Sequence, residues 1–528
     1  MSVDLNHEFK SEQERDKRKL EIWKKKRYFA QAKIIDLYTG KNVVVLNKED
    51  ANSHEIFESY RVLVEIKGKS EVVIADLSNE LVKRGEIGIF REVAQALGIK
   101  EGDVVEVFHV IKPASIEYIK KKIDGAELTE NEVKGIISDL MTNRLSEAEL
   151  ASFITAVHIR GMTENESVYL TNAIVESGQT LKLGVEPIAD KHCIGGVAGN
   201  RTTMVLVPIV AAAGIYIPKS SSRSITSAAG TADTMEVLAN VDFNREKLEE
   251  IVLSSKGAIV WGGGINIASA DDKLIKIRNP LSLDPKGMLL ASIMAKKKSV
   301  GAKYVVIDLP VGRGAKIDSV EEAHRLANDF ISIGKRLGMK VEAVITDGSQ
   351  PVGNGIGPAL ECIDVLEVLE GRGPEDLKTK SCLLAGKIIE MVGKVEEGKG
   401  YSYALKLLET GKAMEKMREI IKLQGGNPNI KAEDIKIGRY SYQVKSKKAG
   451  KISHIDNKRV NKLARAAGAP FDKGAGIYLH RSVGEKVEEG DVLFTIYAES
   501  EDKLDFAVSG LEVWFPMELQ KIILQTLK

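Results

Sequence analysis

Three stretches of this chain carry residue types that can bind and react phosphorylated small molecules. The first is Asp190-Lys191-His192-Cys193-Ile194-Gly195-Gly196-Val197-Ala198-Gly199-Asn200-Arg201-Thr202. Its glycines permit a backbone path that turns N–H groups toward an anion. A following helix start adds free N–H groups and positive dipole, and Lys191 supplies full charge. A phosphate loop and a plain strand-to-helix turn with exposed charges both fit this string. The second runs from Lys219-Ser220-Ser221-Ser222-Arg223-Ser224 through Ala229-Gly230-Thr231-Ala232-Asp233. Hydroxyls donate to phosphate oxygens and arginine does so bidentately. The alternative is a polar loop that caps the next helix through Ser227 or Thr231, but a place at the end of a predicted strand favours ligand binding. The third spans Arg278 to Lys296, with Lys297 and Lys298 directly after it. By itself Asp284, before Pro285, reads as a helix cap. Lys296-Lys297-Lys298 reads as a solvated last turn that suits the helix dipole. Ser292 and Lys296, spaced i and i+4, share one helix face.

These stretches need elements to position them. From Val185 to about Gly371 the chain alternates apolar strand-like runs with helix-like runs. Strands are predicted at Gly214–Pro218, Ile259–Trp261, Tyr304–Leu309 and Val341–Thr346, and helices at Met204–Ala213, Arg245–Ser255, Met288–Lys297 and Val320–Gly338. Such alternation predicts a mixed α/β domain with a mostly parallel sheet. Before it, Thr129-x-x-Glu132, Ser146-x-x-Glu149 and Thr163-x-x-Glu166 fit the capping box, in which Ser/Thr and Glu satisfy the free N–H groups of a helix start. They predict a small α-helical domain. Earlier still, short apolar runs (Val43–Leu46, Arg61–Ile66, Glu71–Ala75) separated by Gly40, Gly68 and Gly102-Asp103 predict a β-rich, barrel-like domain. The last stretch, Val483–Asp491 between Ile477–Leu479 and Val492–Ile496, is strand–turn–strand and predicts a C-terminal α+β domain. It resembles biotinyl-type domains but lacks the Met-Lys-Met attachment motif, so no biotin or lipoyl group is expected. The expected organisation is a charged extension over 1–28, a β-rich domain used in assembly over 29–112, and a helical domain over 113–184. The α/β phosphate-binding domain follows over 185–375, then a helical continuation of its core over 376–445 and the C-terminal domain over 446–528.

Composition narrows the function classes. A chain of 528 residues with 43% hydrophobic and 29% charged residues is a multidomain globular protein. A net charge of +1 gives no reason to expect a nucleic-acid partner. Three cysteines without paired spacing argue against a disulfide framework or zinc site, and eight histidines show no ligand spacing, so no metal is expected. The start of the chain is charged throughout, unlike a secretory signal. The longest apolar run, Met204 to Ile217, is too short to cross a bilayer. A cytoplasmic enzyme without membrane contact is the expectation. The Lys/Glu content hints at a high working temperature.

Taken together, the motifs resemble those of the thymidine/pyrimidine-nucleoside phosphorylase family. Lys191-His192-Cys193-Ile194-Gly195-Gly196-Val197 is similar to its Lys-His-Ser-x-Gly-Gly-Val loop. Ser221-Ser222-Arg223 through Gly230-Thr231-Ala232-Asp233 and Glu236 is similar to its Ser-Gly-Arg-x(6)-Gly-Thr-x-Asp-x-x-Glu signature. Ser292-Ile293-Met294-Ala295-Lys296 matches its Ser-Ile-x-x-Lys string. The likeness covers residue 30 to the end. The Ser222–Ser227 string, the extra N-terminal domain and Gly474-Ala475-Gly476-Ile477 most resemble the archaeal AMP phosphorylase branch. Departures are Ser222, Ser224 and Ala228 in place of Gly, Gly and Thr, and Cys193 in place of Ser, which weakens one phosphate donor. The family's pyrimidine-contacting arginine falls one position out of register with Arg278.

The resemblance implies phosphorolysis of AMP, and also of CMP and UMP, to a free base and ribose 1,5-bisphosphate, with inorganic phosphate as co-substrate and no cofactor. It implies Lys191, Ser221 and Thr231 as phosphate ligands. It implies Gly196, Ser222, Arg223, Ser224, Ile225, Thr226, Ser227, Thr231, Ser292 and Lys316 as substrate-binding residues. Asp284 becomes the proton donor and His192 its competitor. A free Asp is only about 0.1% protonated at pH 7, so burial or a neighbouring carboxylate must raise its pKa, whereas an unperturbed His at ~6.5 needs no such help. A homodimer or larger homo-oligomer through the helical and N-terminal domains is also implied. Competing readings are a thymidine or pyrimidine nucleoside phosphorylase, an anthranilate-type phosphoribosyltransferase, and a non-enzymatic scaffold.

Overall fold

The computed structural model describes residues 27–520 except Ile111, Ile225 and Ser282. The predicted N-terminal extension therefore lies almost wholly outside the described residues, as does Ile225 of the predicted substrate loop. The chain forms two compact units, Met1–Gly161 with Lys273–Leu283, and Met162–Asp272 with Asp284–Lys528.

In the first unit, β1 (Tyr28–Ile35), β2 (Val43–Leu46), β3 (Tyr60–Ile66), β4 (Lys69–Leu77), β5 (Glu86–Phe90) and β6 (Val104–His109) close into a barrel of order β1-β5-β2-β4-β3-β6. Closure comes from β1, which pairs in parallel with β5 and antiparallel with β6. Closing removes exposed strand edges. Residues alternate in and out along β3, so Val62, Val64 and Ile66 fill the interior with Val44, Ile87 and Val107. Two short helices, α1 (Lys48–Ser53) and α2 (Arg91–Leu97), accompany the barrel, and α3 (Ser115–Ile123), α4 (Glu130–Met141) and α5 (Glu147–Arg160) complete the unit. Thr129 and Ser146 form full capping boxes with Glu132 and Glu149. Glu149 also pairs with Arg61 of the barrel. Lys273 donates to the carbonyls of Leu140 and Met141 at the end of α4 and to Asn143, where a cation satisfies the last free acceptors of a helix.

The second unit opens with α6 (Glu164–Ser177), started by the third capping box, Thr163 with Glu166. Its centre is parallel. β7 (Ala189–Cys193), β10 (Tyr304–Val311) and β11 (Lys340–Asp347) pair in the order β11-β10-β7. A parallel bridge from Ile188 to Tyr216 leads on to β8 (Ile217–Ser221) and β9 (Gly257–Trp261), also parallel. The predicted parallel sheet is thus present, with each predicted strand within a few residues of its place.

Helix α7 (Thr202–Ala212) is apolar on all sides because it is buried on all sides. Its core extends to α13 (Pro358–Leu369), α14 (Glu375–Met391), α15 (Gly400–Glu409) and α16 (Lys412–Leu423). The other helices of this unit are α8 (Thr231–Met235), α9 (Arg245–Ser255), α11 (Lys286–Ser299) and α12 (Val320–Arg336), while α10 (Ser269–Arg278) has residues in both units. Toward the C-terminus, β12 (Gly355–Ile356), β13 (Tyr440–Lys445), β15 (Gly476–Leu479) and β17 (Val492–Ala498) form one antiparallel sheet. Strands β14 (Gly450–Ile455), β16 (Lys486–Val487) and β18 (Met517–Gln520) form another. Helix α17 (Asn457–Ala466) packs in the same core as these strands. No helix among the described residues is long and apolar enough to cross a membrane.

Candidate active site

Strands β7, β8 and β10, with the loops that follow β7 and β8, gather the chemistry. Asp190, at the start of β7, is fully buried, and a buried carboxylate must be paired. Lys297 Nζ lies 2.6 Å from one of its oxygens and Lys219 Nζ 3.4 Å from the other. Burial alone would raise the Asp190 carboxyl; Lys219 and Lys297 outweigh it and hold the group below its usual range. Lys191 Nζ sits 2.9 Å from Thr202 Oγ1 and 3.5 Å from Asp308 Oδ2. Lys380 approaches the same Asp308 oxygen at 3.6 Å. Asp271 accepts from Ser292 Oγ at 2.6 Å and pairs with Lys296 at 2.7 Å. Five lysines (191, 219, 296, 297, 380) thus face three aspartates (190, 271, 308), so cations outnumber the carboxylates they pair with, although burial, against the pull of Asp190, lowers Lys219 to about 7. That excess suits an anion.

The cage opens into a cavity of about 290 Å³ lined by Lys191, His192, Gly196, Ser221, Ser222 and Thr231, among others. The solvated reading of Lys296-Lys297-Lys298 is corrected. Lys297 is only 1% exposed, and Lys298 donates to Asn172 at 2.7 Å. The premise about His192 is corrected too. Burial, then the charges of Lys297, Lys219, Lys296 and Lys191, push its pKa well below the usual value. The ring is neutral at pH 7 and can donate a hydrogen bond, but it is not a cationic acid. Burial likewise pushes the Cys193 thiol up to about 11, so it stays a neutral, weak donor.

The loop after β8 is held by its own signature. Arg223 donates to both carboxylate oxygens of Glu236, at 2.8 and 2.6 Å, and to Asp233 at 3.3 Å. It also lies over the Trp261 ring at 5.0 Å. Asp233 accepts from the N–H groups of Ser224 and Gly230 at 2.7 and 2.9 Å. Neither Ser227 nor Thr231 caps α8; Gly230 is its first flanking residue and the Asp233 carboxylate closes the turn. A Cβ on Gly230 would stand 2.5 Å from the Ser222 carbonyl oxygen, so only glycine lets α8 approach the loop. Arg201 donates to Thr231 Oγ1 at 3.0 Å and to the Ala229 carbonyl at 2.8 Å, and pairs with buried Glu361. Ser224 Oγ donates to the Ser227 carbonyl, and Ser227 Oγ to that of Ala229.

Asp284 and Lys316 occupy a second cavity, of about 390 Å³, with Ile194 and Arg325. Asp284 is not a helix cap: the residue flanking α11 is Pro285, with no side-chain cap. It forms an ion pair with Lys316 in a cavity that Ile194, Leu289, Ile317, Leu326 and Glu322 also line. The glycine loop is the wall between the cavities. Gly196 adopts φ +92°, and a Cβ there would fall 2.4 Å from the Lys316 backbone nitrogen. The structure therefore brings Lys191, His192, Gly196, Ser221, Ser222, Ser227 and Thr231 to one cavity and places Asp284 and Lys316 behind it. Ser292 is buried beneath Asp271, and Arg223 and Ser224 hold the loop. Thr226 lies in the same loop, outside the residues that line the cavity.

Sequence reasoning passed over Asp190, Lys219, Lys297, Asp308 and Lys380 as site residues. A signal existed for Asp308, a lone carboxylate inside the apolar run of β10, and none for Lys380.

Comparison with known proteins accords with this geometry. Residues 116–178 match the helical bundle domain of a glycosyl transferase family, 185–414 its a/b domain, and 451–514 the pyrimidine nucleoside phosphorylase C-terminal domain. The chain is 47% identical to AMP phosphorylase 1 of Archaeoglobus fulgidus over 92% of its length and 96% of that protein. It is 46% identical to the AMP phosphorylase of Pyrococcus furiosus and 47% identical to that of Thermococcus kodakarensis, each over 94% of this chain and 99% of the other. Anthranilate phosphoribosyltransferase from Thermus thermophilus shares the fold, with a TM-score of 0.50 and 20% identity over 58% of this chain and 98% of that one. With near-complete coverage at such identity, this chain belongs to the AMP phosphorylase family.

Proposed function

We propose that the chain catalyses the phosphorolysis of AMP, and of CMP and UMP. The C1′–N bond breaks, an oxygen of inorganic phosphate bonds to C1′, and the base leaves with a proton as ribose 1,5-bisphosphate forms. The observation that carries the reading is the lysine cage, whose excess of cations opens into a cavity beside the glycine loop. Phosphate would lie against Lys191, Ser221 and Thr231. The nucleotide would extend past Gly196 and the Ser222–Ser227 loop, with Ser292 and Arg223 supporting that surface, toward Lys316. Asp284, paired with Lys316, is the proposed proton donor, and neutral His192 a hydrogen-bond donor to pyrimidine bases. The reading needs no cofactor or metal. It places the enzyme in the cytoplasm as a homo-oligomer built through its helical and N-terminal domains.

The test is base release from AMP, adenosine, CMP, uridine and thymidine, each with and without phosphate, followed by chromatography. Phosphate-dependent release from AMP but not adenosine is expected. Release from thymidine or uridine instead would move the function to a nucleoside phosphorylase. Arg223→Ala and Lys316→Ala should each erode the preference for AMP over adenosine; an unchanged preference in both would remove these residues from recognition of the 5′-phosphate.

A further inference from the structure

One face of α17 reaches both loops that line the cavity. Asn457, fully buried at its start, accepts from the Ala198 N–H at 2.9 Å and donates to the Gly348 carbonyl at 3.0 Å. One turn on, Asn461 accepts from the Ala228 N–H at 2.8 Å and donates to the Asn457 carbonyl at 2.9 Å. A further turn on, Arg465 donates to the Ser227 carbonyl at 3.1 Å. Residues at i, i+4 and i+8 stand above one another on a helix, with a rise of about 6 Å per step. Ala198 ends the glycine loop, and Ser227-Ala228 end the Ser222–Ser227 loop. The helix therefore spaces two loops that come from different strands of the parallel sheet.

The chemistry argues that this is more than packing. Every side-chain amide atom of Asn457 and Asn461 is matched to a backbone group, three of the four in other segments. A buried amide is costly unless satisfied; Asn457 is fully buried and Asn461 half-buried, so both favour this one placement of the loops. No residue of α17 lines the cavity. We infer that Asn457, Asn461 and Arg465 are positioning residues, through which the C-terminal domain sets the distance between the phosphate loop and the nucleotide loop. The inference rests on reading the cavity as the phosphorolytic site.

The experiment measures kcat and separate KM values for AMP and phosphate, with Tm, for the full-length wild type, Asn461→Ala, Asn461→Asp and Arg465→Ala. Amide hydrogen exchange of the peptide covering residues 222–230 is followed in parallel. Asn461→Ala is expected to raise the KM for AMP about tenfold, the effect of losing about one part-buried hydrogen bond, while the phosphate KM stays within about twofold. Asn461→Asp keeps the acceptor for Ala228 and should recover most of the loss; Arg465→Ala should shift the same KM by less. Exchange in the loop should rise in Asn461→Ala. Unchanged loop exchange overturns the inference, as does a KM for AMP that is unaltered, or that rises only in step with the phosphate KM and a lower Tm without rescue by Asp. Absence of phosphate-dependent base release in the wild type would refute the functional reading alone, because loop exchange still reports the positioning.

Discussion

His192 is half-buried on the cavity wall, in the field of Lys297, Lys219, Lys296 and Lys191, and both conditions oppose a second proton on its ring. In the unfolded chain it titrates near ~6.5. Between its depressed folded value and that point, the unfolded state binds a proton that the native state refuses. Stability from this residue is therefore complete above about pH 6.5 and falls below it, by up to about 1.4 kcal/mol per pH unit. Thermal unfolding of His192→Gln and wild type at pH 7.5 and 5.5 should show the variant gaining on the wild type as pH falls. A gap that does not change with pH would mean that the ring is not held neutral. The same logic predicts no inflection near pH 6.5 in kcat/KM that disappears in this variant.

At the scale of elements, glycines decide how closely strands, loops and helices approach. Gly230 has an ordinary φ of −96°, so any residue could adopt its backbone; what excludes a side chain is the Ser222 carbonyl. Gly230→Ala must separate α8 from the loop and strain the contacts of Asp233 and Arg223. A loss of about 1–3 kcal/mol is expected from overpacking, read from the urea midpoint. The KM for AMP should rise with it, because the Ser222–Ser227 backbone moves. Gly371→Ala is the informative contrast: Gly371 is left-handed at φ +87° with nothing near a built Cβ, so its cost is backbone strain and its kinetics should be unaltered.

At the scale of the molecule, the parallel sheet is tied to the C-terminal sheet through β12, which pairs with β15. Asp364 of α13 holds this junction, accepting from the N–H groups of Asn354 and Gly355, each at 2.7 Å. Burial, with Glu367 and Asp376 nearby, outweighs those two donors and raises its carboxyl from 3.8 to about 7. The native state thus keeps a proton that the unfolded chain loses, and stability from this group declines as pH rises from about 4 to about 7. Asp364→Asn keeps an acceptor without the charge. Its Tm should exceed that of the wild type at pH 8, with the gap closing toward pH 5, the opposite direction to His192. A gap that does not depend on pH would show that the carboxyl titrates as a free one.

Much of this molecule is local and so was legible in the chain. Three capping boxes form because Ser or Thr and Glu three residues apart meet at any helix start. Parallel strands form where apolar runs alternate with helical periods, and the Gly195-Gly196 loop and Arg223…Glu236 signature mark the cavity because glycine and paired charges act over a few residues. Tertiary structure decided what those residues face. Lys297 reads as one more exposed lysine until its partner Asp190, 107 positions away, is brought to it. Asp284 gains Lys316 across 32 positions, and Ala228 gains Asn461 across 233. Whether a charge is solvated, a histidine neutral or a loop pinned depends on desolvation and on partners that only folding supplies, and period or spacing encodes neither.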